Sequence, residues 1–409
     1  MSTEGTVMRE LRIQNLKISD VGPYTDLKVS FPAKAGISLI CGDNGIGKTT
    51  LLDAIVTLFI NSQSKVNRRQ PASVGGVFSS IMLDGGQREH TLAISSFGPD
   101  SYQYVTGPFA DVSSWLIFIR AQRDIYYHRR DSITRDPGAD AGNLQNRTAN
   151  GFDPNEIKAW FSNRYLLKHH AQNSGWTDEM LENLRSAESF FSLLDPTVTL
   201  DRVDIKSFDI IVSTPGGQIP YEYLSSGFKS AYTLLLGILK EIEYRGLGTS
   251  ASTFAGVILI DELDLHLHPS WQRKIAGALT KAFPSAQIIA TTHSPHVIQS
   301  AKASEVVALT RDSLGRVRAR PVPSTAFGFT GWTIEEVLED IMGVEDTKTP
   351  EFREAMREFD FAIDNEDSEM VKSALNILLE MLHPTNPTRK LIQIQAAPYL
   401  SSSSEEGEL

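Results

Sequence analysis

Three apolar patterns alternate along the chain. The first is the short run that is apolar almost throughout: Ile37–Cys41, the start of Trp115–Arg130, Val257–Ile260 and the start of Ala286–Ile298. Such runs predict strands buried on both faces, as in a parallel sheet. The second is strand-like pattern around turns. Ser79–Ser95 reads as a hairpin over Asp84-Gly85-Gly86, and Asp201–Tyr223 as further strands. The third is helical spacing. Phe228, Ala231, Leu234, Leu235, Ile238, Leu239 and Ile242 fall on one face of a helix. Helices are expected over about 154–195, and the Gly/Asn/Asp-rich stretch 134–153 reads as a mobile loop. The C-terminal part is helical again. Thr333 and Glu336 form a capping-box pattern, Thr349-Pro350 opens a second helix, and Ser368–Leu382 gives a third that ends before Pro384.

Composition narrows the class. With 409 residues, 41% of them hydrophobic, the chain has room for two or three domains with real cores. A net charge of −11 argues against a general nucleic-acid coat, and part of that acidity lies in the tail "SSSSEEGEL", expected to be disordered. Cys41 is the single cysteine, which excludes a disulfide framework or a cysteine-built zinc site within one chain and fits a reducing cytoplasm. The start shows no basic-then-apolar leader pattern, and no run reaches the roughly 18 apolar residues of a membrane span. The expectation is a cytoplasmic protein without a membrane partner. Internal repeats and long heptad runs are absent.

The candidate chemistry sits at the ends of the apolar runs. After Ile37–Cys41, the residues Gly42 to Thr49 fit G-x-x-x-x-G-K-[ST], and a helical run follows. Glycines let backbone N–H groups turn inward around phosphates, and the helix N-terminus adds positive potential there. Gly42, Asp43, Asn44, Gly45, Gly47, Lys48, Thr49 and Thr50 are therefore the expected ATP-binding residues. Lys48 is expected on the β- and γ-phosphates and Thr49 on Mg²⁺. Val257–Ile260 ends in Asp261-Glu262. A carboxylate there suits the second metal contact, Asp261, and its neighbour Glu262 suits the catalytic base on the attacking water. The run from Ala286 ends in His293, a candidate for the γ-phosphate or that water. His266 and His268 lack zinc-enzyme spacing and read as turn or interface residues.

"LSSGFKS", at 224–230, precedes the predicted helix and looks like a second phosphate-gripping turn; Ser226 also suits a helix cap. The order of phosphate loop, "LSSG", Asp261-Glu262 and His293 resembles the ATP-binding-cassette superfamily. The resemblance implies an α/β P-loop cassette head with a mixed sheet, a helical insertion lobe and a C-terminal helical extension. It also implies that two heads pack head to tail, so that Ser225, Ser226 and Gly227 contact ATP held by the other copy. Gln122 falls where a cassette Q-loop would lie, with Arg123 as its rival for a phosphate or interface contact.

The opening "RELRIQNLKISDVGPYTDLKVSFP" and the phrase "DELDLHLHP" look like the SMC, RecF and OLD-type branch. Long coiled coils, a Cys-x-x-Cys hook and a TOPRIM pattern are all missing. What remains resembles the short-insert ATPases of bacterial anti-phage systems, of the Septu and retron-associated kind, with the PARIS ATPase as a relative. That implies a cytoplasmic Mg²⁺-dependent ATPase that assembles with itself and controls a separate effector nuclease. The alternative is a RecF-like repair ATPase acting directly on DNA. A transporter subunit is disfavoured by the long stretch between Lys48 and Ser225. For nucleic acid, the basic, aromatic loop of Arg120, Arg123, Tyr126, Tyr127, Arg129 and Arg130 is the main candidate patch, with Lys65, Arg68 and Arg69 as a smaller one. The expected layout is an N-terminal ATPase lobe at 1–133 and an insertion at 134–200. A C-terminal ATPase lobe follows at 201–330, then a helical docking or oligomerisation module at 331–395 and a disordered tail at 396–409.

Overall fold

The apolar runs become the middle of a six-stranded sheet. From edge to edge it is Val317–Arg320, Val306–Arg311, Gly36–Cys41, Gln287–Thr291, Val257–Ile260 and Leu116–Ile119. Neighbours are parallel throughout, except that Val317–Arg320 returns antiparallel at one edge. Every residue of the strands Leu116–Ile119, Val257–Ile260 and Gln287–Thr291 is buried, which is why their sequences lack alternation. Parallel direction brings the C-terminal ends of three central strands to one edge of the sheet. Those ends carry the phosphate loop, Asp261 and His293, the usual position for a ligand in an open α/β sheet.

The computed structural model describes residues 10–98, 103–134, 136, 138–173, 175–323 and 326–400. The chain divides into two compact units, 1–343 and 344–409.

In the first unit a four-stranded antiparallel sheet, ordered Tyr24–Ser30, Leu11–Val21, Gly75–Leu83 and Gly86–Ile94, packs against the central sheet. Its expected hairpin turns through Asp84 at φ 52° and Gly85 at φ 77°, the left-handed pair of a type I′ turn. Buried polar groups fix the junction. Arg12 donates to the carbonyls of Leu11 (2.8 Å), Ala255 (2.7 Å) and Ser285 (2.7 Å). Gln287 accepts from Ile13 N at 2.7 Å and donates back to Ile13 O at 2.8 Å, so both backbone groups of one strand residue are satisfied from the other sheet.

The insertion holds the helices Ala141–Asn150, Glu156–Leu167 and Asp178–Phe190. The first is a correction, because the stretch 134–153 reads as a loop by composition. Asp140 caps it, accepting from Asn143 N at 2.8 Å, and Arg147 anchors it to Glu241 and Glu156, both at 2.7 Å. A small antiparallel sheet of Thr199–Val203, Ile210–Thr214 and Gly217–Pro220 then leads to the 19-residue helix Ser226–Tyr244. That helix is not one-sided. From Ser230 to Ile242 it is buried all round, and its polar residues are paired: Glu241 meets Arg147, and Lys240 meets Glu156. Near the end of the unit, the capping box closes as expected. Glu336 N donates to Thr333 Oγ1 at 3.2 Å and Thr333 N to Glu336 Oε2 at 2.7 Å, and Val337, Ile341 and Met342 behind it join the main core.

The second unit is three helices, Pro350–Asp364, Ser368–Met381 and Pro387–Leu400, around Phe359, Ala362, Val371, Leu375, Leu378 and Ile392. The last helix runs past 396, where the sequence suggests a tail; residues 401–409 lie outside the described residues. No described helix is long and apolar enough to cross a membrane.

Candidate nucleotide-binding site

The loop after Gly36–Cys41 is shaped by three glycines at positive φ: Gly42 (142°), Gly45 (71°) and Gly47 (107°). Two of them also leave no room for a side chain. A Cβ on Gly42 would lie 2.4 Å from the carbonyl oxygen of Leu309, and one on Gly47 would lie 2.5 Å from Pro23 Cγ. Tyr24 clamps the loop from the antiparallel sheet, donating to Gly47 O at 2.7 Å. The helix Lys48–Thr57 starts directly behind it. Lys48 is buried and its ammonium donates back to Gly42 O (2.7 Å) and Asp43 O (2.9 Å), while burial lowers its pKa. Asp43, Asn44, Gly45 and Thr49 face solvent, with Thr50 half-buried.

Facing this loop, Asp261 ends its strand, buried, with both carboxylate oxygens on the Thr49 hydroxyl at 3.1 and 3.0 Å. Thr291, at the end of the neighbouring strand, donates its hydroxyl to Asp261 Oδ1 at 2.7 Å and accepts from Glu262 N at 2.8 Å. Glu262 adopts φ 51°, a backbone that costs a non-glycine residue energy. Asp264 then accepts from Thr292 Oγ1 at 2.5 Å and from His293 N at 3.0 Å, fixing the turn that presents His293. The imidazole is held below its ordinary pKa by partial burial and by the Lys48 charge, so it is neutral at neutral pH. Lys48, Thr49, Asp261, Glu262 and His293 therefore meet at one place, as the sequence order suggests.

The "LSSG" turn opens a separate hollow of about 380 Å³, lined by Ser225–Phe228, His266–His268, Ser270 and Trp271, and by none of the phosphate-loop residues. Ser225 and Ser226 are exposed and Gly227 is buried. Ser225, not Ser226, is the residue at the cap position, and its hydroxyl makes no capping hydrogen bond. A Cβ on Gly227 would lie 3.0 Å from His266 O. His268 caps the next helix, its Nδ1 accepting from Ser270 N at 3.3 Å. Among the described residues no group of three His, Cys, Asp or Glu is placed to hold a metal ion. Gln122 is exposed in a cavity of about 650 Å³ that also reaches Arg120, Asp124, Tyr126 and Asp261.

Residues 37–299 match a family described as "AAA domain, putative AbiEii toxin, Type IV TA system". The chain is 40% identical over 395 residues to the Septu protein PtuA of Bacillus thuringiensis, covering 95% of this chain and 98% of that one. The chain belongs to the Septu PtuA family. A second relative of this family member is the "Retron Ec83 probable ATPase" of Escherichia coli, 30% identical over 132 residues, which are 32% of this chain and 24% of the relative. The SMC head domain from Thermotoga maritima overlays with a TM-score of 0.44 at 19% identity, covering 76% of this chain and 99% of that structure. By its PtuA and retron ATPase relatives the chain is an anti-phage defence ATPase, the group to which its motifs point.

The basic loop of this PtuA-family chain is a correction to the sequence reading. Arg123 and Arg130 are buried and Arg120 is largely so, which leaves Arg129 with Tyr126 and Tyr127 as its exposed members. Arg120 pairs with Asp53 at 2.8 Å and donates to Ala149 O at 2.6 Å. Arg123 is buried against the Asp261 carbonyl, and Arg130 is buried against Asn163 Oδ1 at 3.3 Å. Arg129 is exposed and paired with Asp131 at 3.2 Å. In the smaller patch, Arg68 donates to Ala72 O at 2.6 Å and Arg69 to Pro23 O at 3.0 Å. The sequence reading also missed Tyr24, Asp264 and Thr291. The polar residues ending the strand before His293 were the available signal for Thr291; nothing local marks Tyr24 as a clamp on a loop far along the chain.

Proposed function

We propose that this chain is the ATP-hydrolysing subunit of a defence complex whose copies meet head to tail, and that ATP-driven assembly controls a separate effector nuclease. The observation that carries the trans arrangement is the "LSSG" turn. Two exposed serines sit at an open helix N-terminus, in a hollow that the chain's own phosphate loop does not line. Helix N-termini attract phosphate, so a second copy's nucleotide is the natural occupant.

In the proposed reaction, backbone N–H groups of Gly42–Lys48 cradle the phosphates and Lys48 leaves its two carbonyls to neutralise the γ-phosphate. The Thr49 hydroxyl and Asp261 carboxylate already converge, and two oxygen donors without a protein cage suit Mg²⁺, which shares its remaining contacts with phosphates and water. When bound, that ion would neutralise charge developing on the β- and γ-phosphates. Glu262 takes the proton of the attacking water. His293 donates a hydrogen bond to the γ-phosphate. Ser225 and Gly227 of the partner copy close the site, and Gln122 reads the metal side. The RecF-like alternative needs a basic DNA surface, and the burial of Arg123 and Arg130 weakens the larger of the two patches the sequence offers.

The helical unit is the proposed docking module for the nuclease. Its own core makes it separable, and the capping-box segment belongs to the first unit, so the cut falls after Gly343. A chain ending at Gly343 is expected to stay folded, bind ATP with unchanged affinity, and lose co-purification with the proposed effector nuclease. Equal recovery of the nuclease by the shortened and full chains would contradict the docking role.

A further inference from the structure

Arg123 joins two parts that the proposed reaction assigns to different nucleotides. It is only 2% exposed. Its Nη2 donates to the carbonyl oxygen of Asp261, its Nη1 to Ser230 Oγ at 3.3 Å, and its Nε to Arg120 O at 3.3 Å. Ser230 lies about one turn into the "LSSG" helix and passes its hydroxyl hydrogen to Leu265 O at 2.8 Å. Guanidinium and hydroxyl together therefore tie that helix to both ends of the segment Asp261–Leu265. Within this segment lies Glu262, held in its left-handed conformation. Among the described residues Arg123 forms no ion pair. Burial pulls its pKa down to about 10, and it remains a cation at neutral pH. A buried cation satisfied by neutral oxygens is costly to misplace, because any displacement leaves it unsolvated. Displacing either end of the link therefore carries a cost.

We propose that Arg123 and Ser230 are positioning residues that couple occupancy of the "LSSG" turn to the setting of Glu262 in the same chain, making ATP turnover cooperative between the two sites of an assembled pair. This rests on the trans arrangement proposed above. There the turn touches the partner's nucleotide, whereas Glu262 serves the chain's own. A fixed connection between the two makes each nucleotide's arrival felt at the other, which is a coupling free energy between sites.

The test is steady-state turnover of the full chain against ATP concentration. The unaltered chain is expected to give a Hill coefficient approaching about 2, the number of sites in a pair. Ser230→Ala removes only the bridging hydroxyl, and Arg123→Lys keeps the charge but not the forked reach. Both are expected to bring the coefficient to about 1, lowering kcat several-fold with ATP affinity unchanged. A uniform coefficient near that of the unaltered chain in Ser230→Ala, or a non-cooperative unaltered chain, overturns the proposal. ATP-driven pairing of Glu262→Gln, followed by light scattering, separates the two claims. If that variant pairs while Ser230→Ala stays cooperative, the coupling alone falls. If it never pairs, the trans arrangement falls and the coupling with it.

Discussion

Glu262→Gln is expected to cut ATP turnover by about 10²–10⁴, the usual worth of a general base, while ATP still binds. The amide keeps the size of the carboxylate and the left-handed backbone. The hydrogen bond from its N–H to Thr291 Oγ1 at 2.8 Å is untouched, so the loop geometry survives. What disappears is the group that accepts the proton from water. Since hydrolysis is the proposed exit from the closed state, the variant should also accumulate as a stable ATP-bound pair. Phosphate release measures the first effect, and scattering mass with ATP present measures the second. Turnover within twofold of the unaltered chain would remove Glu262 from its proposed role.

Lys48→Ala is expected to abolish detectable ATP binding at ordinary protein concentrations. Hydrogen bonds to charged groups contribute about 1.5–3 kcal/mol each, and two lost phosphate contacts correspond to a fall in affinity of about 10²–10⁴. The change also strands two carbonyls. Gly42 O and Asp43 O each accept from the ammonium in the free chain, at 2.7 and 2.9 Å, so the loop itself loses its internal brace. Titration with a fluorescent ATP analogue checks this. Affinity within threefold of the unaltered chain would contradict the phosphate assignment.

The site was legible wherever chemistry forces residue types into fixed spacing. Gly42–Thr50 stood out because the proposed phosphate cradle needs glycines, a lysine and a hydroxyl in that order. Asp261 and His293 could be placed because each follows an apolar strand, and parallel strands deliver their ends to one edge. The inward direction of Arg120, Arg123 and Arg130 was not legible, for the opposite reason. Charge in a sequence does not say which way a side chain points, and their partners are remote: Asp53 for Arg120, Asn163 for Arg130, the Asp261 backbone for Arg123. The helix Ala141–Asn150 was hidden similarly. Its Gly and Asn content argues for a loop, and the pairing of Arg147 with Glu156 and Glu241 argues for the helix only once the fold is known. The helix after "LSSG" showed its apolar face, but its other face is buried by ion pairs that periodicity cannot register.

The most direct measurement mixes two disabled chains. Lys48→Ala lacks the cradle but keeps the serine turn; Ser225→Arg blocks the turn but keeps the cradle. Ser225 is exposed and makes no capping hydrogen bond, so that change costs its own chain little stability. A composite site requires that each be inactive alone and that the mixture recover ATP hydrolysis, with the turn of one completing the cradle of the other. Full hydrolysis by Ser225→Arg on its own, with nothing gained on mixing, would contradict the account.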